Sequence, residues 1–80
     1  MNEKQIFVKL KDIIREVFPE YKSEIVPDVK QEDIEEWDSL GHLNLFMAVE
    51  QIFNISFSME EVTDINSIHD IIEFIKNKKN

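Results

Sequence analysis

Residues 38–53 read DSLGHLNLFMAVEQIF. An aspartate opens the run, and apolar residues then recur at spacings of three and four, which predicts an amphipathic helix over Asp38 to Phe53. Asp38 is its candidate N-cap, because a carboxylate there accepts a hydrogen bond from a backbone N–H with no partner inside the helix. The end is expected near Asn54, a residue that tolerates left-handed backbone. On a wheel of about 100° per residue the apolar side chains fall into two groups. Leu45, Phe46, Val49, Ile52 and Phe53 form a broad group, assigned to the core. Leu40, Leu43 and Met47 form a narrow stripe beginning beside Ser39. A chain of 80 residues has too few helices to surround one of them, so the stripe is expected wholly or partly in solvent, as a docking surface. Burial of the helix on all sides is the competing reading.

Upstream, Ile6, Phe7, Leu10, Ile13, Ile14, Val17 and Phe18 mark another amphipathic helix that stops before Pro19. From Pro19 to Trp37 the periodicity breaks, with two prolines, seven acidic residues and scattered Ile25, Val26, Val29, Ile34 and Trp37. A connection this long in a small domain is expected to be a packed loop, pinned to the core at those apolar points. Downstream, Ser58-Met59-Glu60-Glu61 fits a capping box and predicts a short third helix through Val62. Ser67-Ile68-His69-Asp70 opens the last helix in similar fashion. There Ile68, Ile71, Ile72 and Ile75 share a face, and Lys76, Lys78 and Lys79 suit the negative C-terminal end. Ile55-Ser56-Phe57 alternates like a strand but has no second strand to pair with, and is read as loop. The expected architecture is one all-α domain over residues 1–80, a four-helix bundle of three main helices and a short third one, with a long loop between the first two.

The net charge of −8 is unevenly placed. Residues 1–18 sum to +1, 19–37 to −5, 38–65 to −5 and 66–80 to +1, and the third block contains no Lys or Arg. Such a surface repels phosphate backbones and steers basic protein partners, so nucleic acid is a poor candidate ligand. There is no cysteine, hence no disulfide framework or thiolate metal site. The first residues lack the apolar core of a signal peptide, and no apolar run approaches the roughly 18 residues of a membrane span. The chain is expected to be cytosolic and complete, and too small for a large enclosed active site.

Ser39 has three candidate roles. It is a helix cap, although Asp38 already offers itself for that; a nucleophile, with His42 one turn away as its base; or an attachment point. The nucleophile reading lacks an evident oxyanion hole and a third residue to orient the histidine. His42 and His69 have no companion ligands at a metal-binding spacing. A phosphodiester on Ser39, by contrast, would meet the positive end of the helix dipole, worth roughly 0.3–1 kcal/mol when exposed. A partner docked on the stripe would face whatever Ser39 carries.

The longer string DSLGHLNLFMAVEQIFNISF, Asp38 to Phe57, resembles the second helix of the acyl carrier protein family, and the similarity extends over almost the whole chain. The resemblance implies a non-catalytic carrier on which a phosphopantetheinyl transferase moves 4′-phosphopantetheine from coenzyme A to Ser39. The thiol of that arm carries acyl groups as thioesters between acyl-loading and acyl-processing enzymes. It further implies that Asp38 and Leu40 contact the transferase, and that Leu43, Met47, Glu50, Glu60 and Glu61 contact partners. On this reading Asp38 is the cap and His42 a surface neighbour. Gly41, Asn44 and Gln51 stand where carriers of fatty acid synthesis often have acids, and Trp37 stands where they have a small residue. These departures point to a specialised pathway, such as polyketide, nonribosomal peptide, surface polysaccharide or modified-lipid assembly. An unmodified helical adaptor that binds through the same stripe is the alternative from another functional class.

Overall fold

The computed structural model describes residues 1–79. Its elements are α1 (Glu3–Val17), a single 3₁₀ turn (Gln31–Asp33), α2 (Ser39–Phe53), α3 (Met59–Asp64) and α4 (Ile68–Lys79). Among the described residues there is no strand, only one isolated antiparallel bridge between Lys30 and Ser67. The four-helix architecture and the long first loop agree with the sequence reading. No described helix is long and apolar enough to cross a membrane.

Helix α1 packs against both α2 and α4, so its buried stripe of Ile6, Leu10, Ile13 and Ile14 forms the centre of the core. It begins with a capping box that the periodicity did not reveal: Gln5 N donates to Asn2 Oδ1 at 2.8 Å, and Asn2 N donates to Gln5 Oε1 at 3.0 Å. Phe18 closes the helix and is itself buried, and Pro19 cannot continue it.

The loop from Pro19 to Trp37 is packed, as its scattered apolar residues predict. Ile25, Val29, Ile34 and Trp37 are buried, whereas Val26 is exposed. Polar bonds fix the rest. The Arg15 guanidinium donates to the carbonyls of Tyr21 and Ser23, and Glu20 N donates to Glu36 Oε1 at 3.0 Å, which draws the two ends of the loop together. The loop also serves α4, whose first N–H groups lack intrahelical acceptors. Ile68 N donates to Val29 O and His69 N to Pro27 O, both at 3.0 Å, while Ser67 Oγ accepts from Asp70 N at 3.1 Å. Asp70 reaches back to Asn66 N rather than to Ser67, so the expected box is displaced by one residue. Ile68, Ile71, Ile72 and Ile75 are all buried.

Helix α2 buries Leu45, Phe46, Val49 and Phe53 as expected, but Ile52 is 55% exposed and does not belong to the core. A helical wheel reports angle alone; burial also needs a neighbour at the same height along the axis, and none covers Ile52 on the last turn. Asn54 ends the helix in the left-handed conformation at φ 57°. Helix α3 runs two residues beyond Val62, to Asp64, behind the expected box: Ser58 N donates to Glu61 Oε1 at 2.8 Å and Glu61 N to Ser58 Oγ at 3.1 Å.

Candidate functional site

Asp38 fills the cap of α2, its Oδ1 accepting from Gly41 N at 2.8 Å. Ser39 is therefore the first residue of the helix proper and is exposed, and its hydroxyl makes no hydrogen bond among the described residues. The N–H groups of Ser39 and Leu40 are likewise without a partner there. An exposed hydroxyl beside unpaired N–H groups, at the positive end of fifteen helical residues, suits an ester-linked phosphate. Gly41 is what lets the preceding loop come this close. A Cβ at this position would lie 2.1 Å from Glu36 O and 3.0 Å from a ring carbon of Phe18.

The stripe is in solvent: Leu40 is 68% exposed, Leu43 50% and Met47 66%. Met59, 77% exposed at the start of α3, joins this side of the molecule and was missed, since a six-residue helix gives too little periodicity to assign a face. Between α2 and α3 runs an open groove of about 370 Å³, with Ser39 and Leu43 on one side, Met59 and Thr63 on the other, and Val62 and Ile65 also lining it.

Of the acidic residues expected on the surface, Glu60 is exposed, but Glu50 and Glu61 have internal partners. Glu50 Oε2 accepts from Phe57 N at 2.8 Å and so fastens the turn between α2 and α3. Glu61 completes the α3 capping box and forms an ion pair with Lys78 at 3.0 Å. The Ser58 backbone N–H, and then the hydrogen bond from Lys78, hold its carboxyl below the usual glutamate range. Folding thus brings a cation from α4 to a stretch of sequence that has none. The Lys78 ammonium also lies 5.4 Å from the centroid of the Phe57 ring.

His42 is not the surface neighbour that the sequence suggested. It is half-buried, and both ring nitrogens are engaged. Trp37 Nε1, which can only donate, lies 2.8 Å from His42 Nδ1, so Nδ1 is the acceptor. The ring proton is thereby assigned to Nε2, which donates to Val62 O at 2.7 Å. Val62 lies in the last turn of α3, where carbonyls lack intrahelical donors, so His42 satisfies an orphan acceptor of a different helix. This arrangement removes the nucleophile reading of Ser39. A general base needs a free lone pair, and the one lone pair of the neutral imidazole is taken by the indole. Sequence could not reveal this partner, because Val62 is twenty residues away.

No protein-family model matches the chain. Individual relatives do. The acyl carrier protein of Guillardia theta is 33% identical over 78 residues, which span 98% of this chain and 96% of that one. That of Thermosynechococcus vestitus is 30% identical over the same shares of the two chains. Among solved structures, the holo acyl carrier protein of Geobacter metallireducens superposes with a TM-score of 0.80 at 28% identity, covering 90% of this chain and 83% of that one. The acyl carrier protein of Thermotoga maritima, at 22% identity and a TM-score of 0.79 over 99% and 92%, shows the same fold. Sequence and architecture agree from end to end: the chain belongs to the acyl carrier protein family, whose members are carriers and not enzymes.

Proposed function

We propose that Ser39 bears 4′-phosphopantetheine, transferred from coenzyme A by a phosphopantetheinyl transferase, and that the protein is a monomeric cytoplasmic carrier of acyl groups. The observation that carries this reading is the division of labour at the start of α2. Asp38 caps the helix, which leaves Ser39 exposed in its first turn, its hydroxyl without a hydrogen bond among the described residues. When bound, the arm supplies a terminal thiol for acyl thioesters, a function that a chain without cysteine cannot provide itself.

The chain's own residues would then present the cargo. Leu40, Leu43 and Met47, together with Met59, offer enzymes an apolar footing beside Ser39, while Asp38 and Glu60 attract basic patches. Glu50 and Glu61 act on partners chiefly by shaping this surface, since their carboxylates bond within the molecule. Cargo delivery in a specialised pathway is favoured over fatty acid biosynthesis by the neutral Asn44 and Gln51 on α2.

Intact-mass measurement after incubation with coenzyme A and a broad-specificity transferase tests the proposal. Wild type should gain the mass of one phosphopantetheine and Ser39→Ala none. An unmodified adaptor would gain nothing, and would keep its function in Ser39→Ala.

A further inference from the structure

The groove that Ser39 lines lies between α2 and α3, so the way inward nearest to a chain attached there passes between these two helices. That gap is bridged by the bond from His42 Nε2 to Val62 O, and His42 is itself held from behind by Trp37. Two more fasteners hold the α3 region from other directions: Lys78 of α4 on Glu61, and Glu50 of α2 on Phe57 N.

Behind the bridge the interior is occupied by rings. A continuous ladder runs from Phe18 through Trp37, His42, Phe46 and Phe57 to Phe74, with successive centroids 4.8–6.3 Å apart. The first two contacts are stacked, Phe46 on Phe57 is edge to face and the others are tilted, and rings in successive contact at these spacings leave no channel for a hydrocarbon chain unless a ring moves. Outside the bridge, the groove beside Ser39 is lined by Val62 and Ile65 together with Gln31, Thr63 and Asn66. This mixed lining offers apolar contact to a few carbons and little to a long tail.

We infer that this carrier holds its cargo outside the bundle, with His42 as the latch that closes the interior, and that its substrates are short acyl units. The inference rests on the carrier reading and narrows it.

The test uses the full chain loaded on Ser39 with acetyl- or octanoyl-phosphopantetheine from the corresponding coenzyme A thioesters. Failure to load counts against the carrier reading alone and is seen by mass before the second measurement begins. On loaded protein, thioester cleavage by hydroxylamine and amide chemical shifts of α2 to α4 are compared between the two cargoes. Wild type should cleave both at rates within about twofold of each other, with the shifts around Phe46 and Phe74 unchanged. Protection of the octanoyl thioester by about fivefold or more, accompanied by shifts at those rings, overturns the inference. In His42→Ala, octanoyl should become protected by about fivefold relative to wild type; equal rates overturn the assignment of the latch. Should that variant not fold, His42→Phe, which keeps a ring between Trp37 and Phe46 but cannot donate to Val62 O, takes its place with the same two outcomes.

Discussion

The α-carbon of Gly41 packs so closely on the carbonyl of Glu36 that a methyl group there would lie 2.1 Å from the oxygen. The contact is with backbone, which cannot swing aside as a flexible side chain would, and a ring carbon of the buried Phe18 is 3.0 Å away. Gly41→Ala should destabilise the fold by about 3 kcal/mol, the upper range for overpacking, and Gly41→Asp by at least as much. Chemical denaturation measures both. The result bears on how the departure at this position is interpreted: the missing acid has a packing cause, and so carries less information about the pathway than Asn44 or Gln51.

Asp38 and Ser39 are adjacent but should separate cleanly by experiment. Asp38→Ala removes the cap and should cost about 1 kcal/mol of stability, whereas Ser39→Ala, which removes no hydrogen bond, should stay within about 0.5 kcal/mol of wild type while abolishing modification. Thermal melts paired with intact-mass assays show the contrast.

Leu40 and Met47 bury little of their surface in the fold. Their alanine variants should melt within about 0.5 kcal/mol of wild type, yet lower the rate of transferase modification by about tenfold or more if the stripe is the docking surface. Val49→Ala, on the buried side of the same helix, should do the reverse, losing stability by about 2 kcal/mol.

The stability of α3 should depend on pH through Glu61. Its carboxyl titrates below the ordinary glutamate value in the folded protein because Ser58 N–H and Lys78 favour the charged form. The contribution is fully present above the ordinary value and is lost as pH falls through the lowered one. Amide exchange in α3 should quicken over that acidic interval in wild type, and in Glu61→Gln this dependence should be absent. Ser58→Ala should weaken it and cost the helix about 1 kcal/mol through the lost cap.

Arg15 serves two carbonyls of the long loop, Tyr21 and Ser23. Lysine cannot reach both with a fixed fork, so Arg15→Lys as well as Arg15→Ala should raise amide exchange across residues 20–26. The loss of global stability should be only about 1 kcal/mol, because the apolar anchors Ile25, Val29 and Ile34 remain.

What the sequence made legible was local. The Asp38 cap, the Ser58–Glu61 box, the isoleucine face of α4 and the exposed stripe each depend on residues within a turn or two of one another, and periodicity or capping chemistry exposes them directly. What it concealed depends on distance along the chain or along a helix axis. Glu61 reads as a cap and a partner contact, and its ion pair is hidden until α4 delivers Lys78. His42 looks like a surface residue until α3 folds back to present Val62 O. Ile52 has the right angle for the core, but it lies where no neighbour covers it. Gly41 looks merely permissive, until the loop from Pro19 to Trp37 is seen to end against it.

Trp37 gives the protein an optical property of its own. It is the only tryptophan in the chain, stands two residues before Ser39, and places its indole between Phe18 and His42 with the N–H bonded to the histidine. Indole emission is sensitive to that hydrogen bond and to solvent, so a displacement of His42 changes the spectrum without any dye, tag or substitution. If Ser39 carries the proposed arm, loading, unloading and partner engagement should be visible in real time on the native chain, through a fluorophore already installed two residues away.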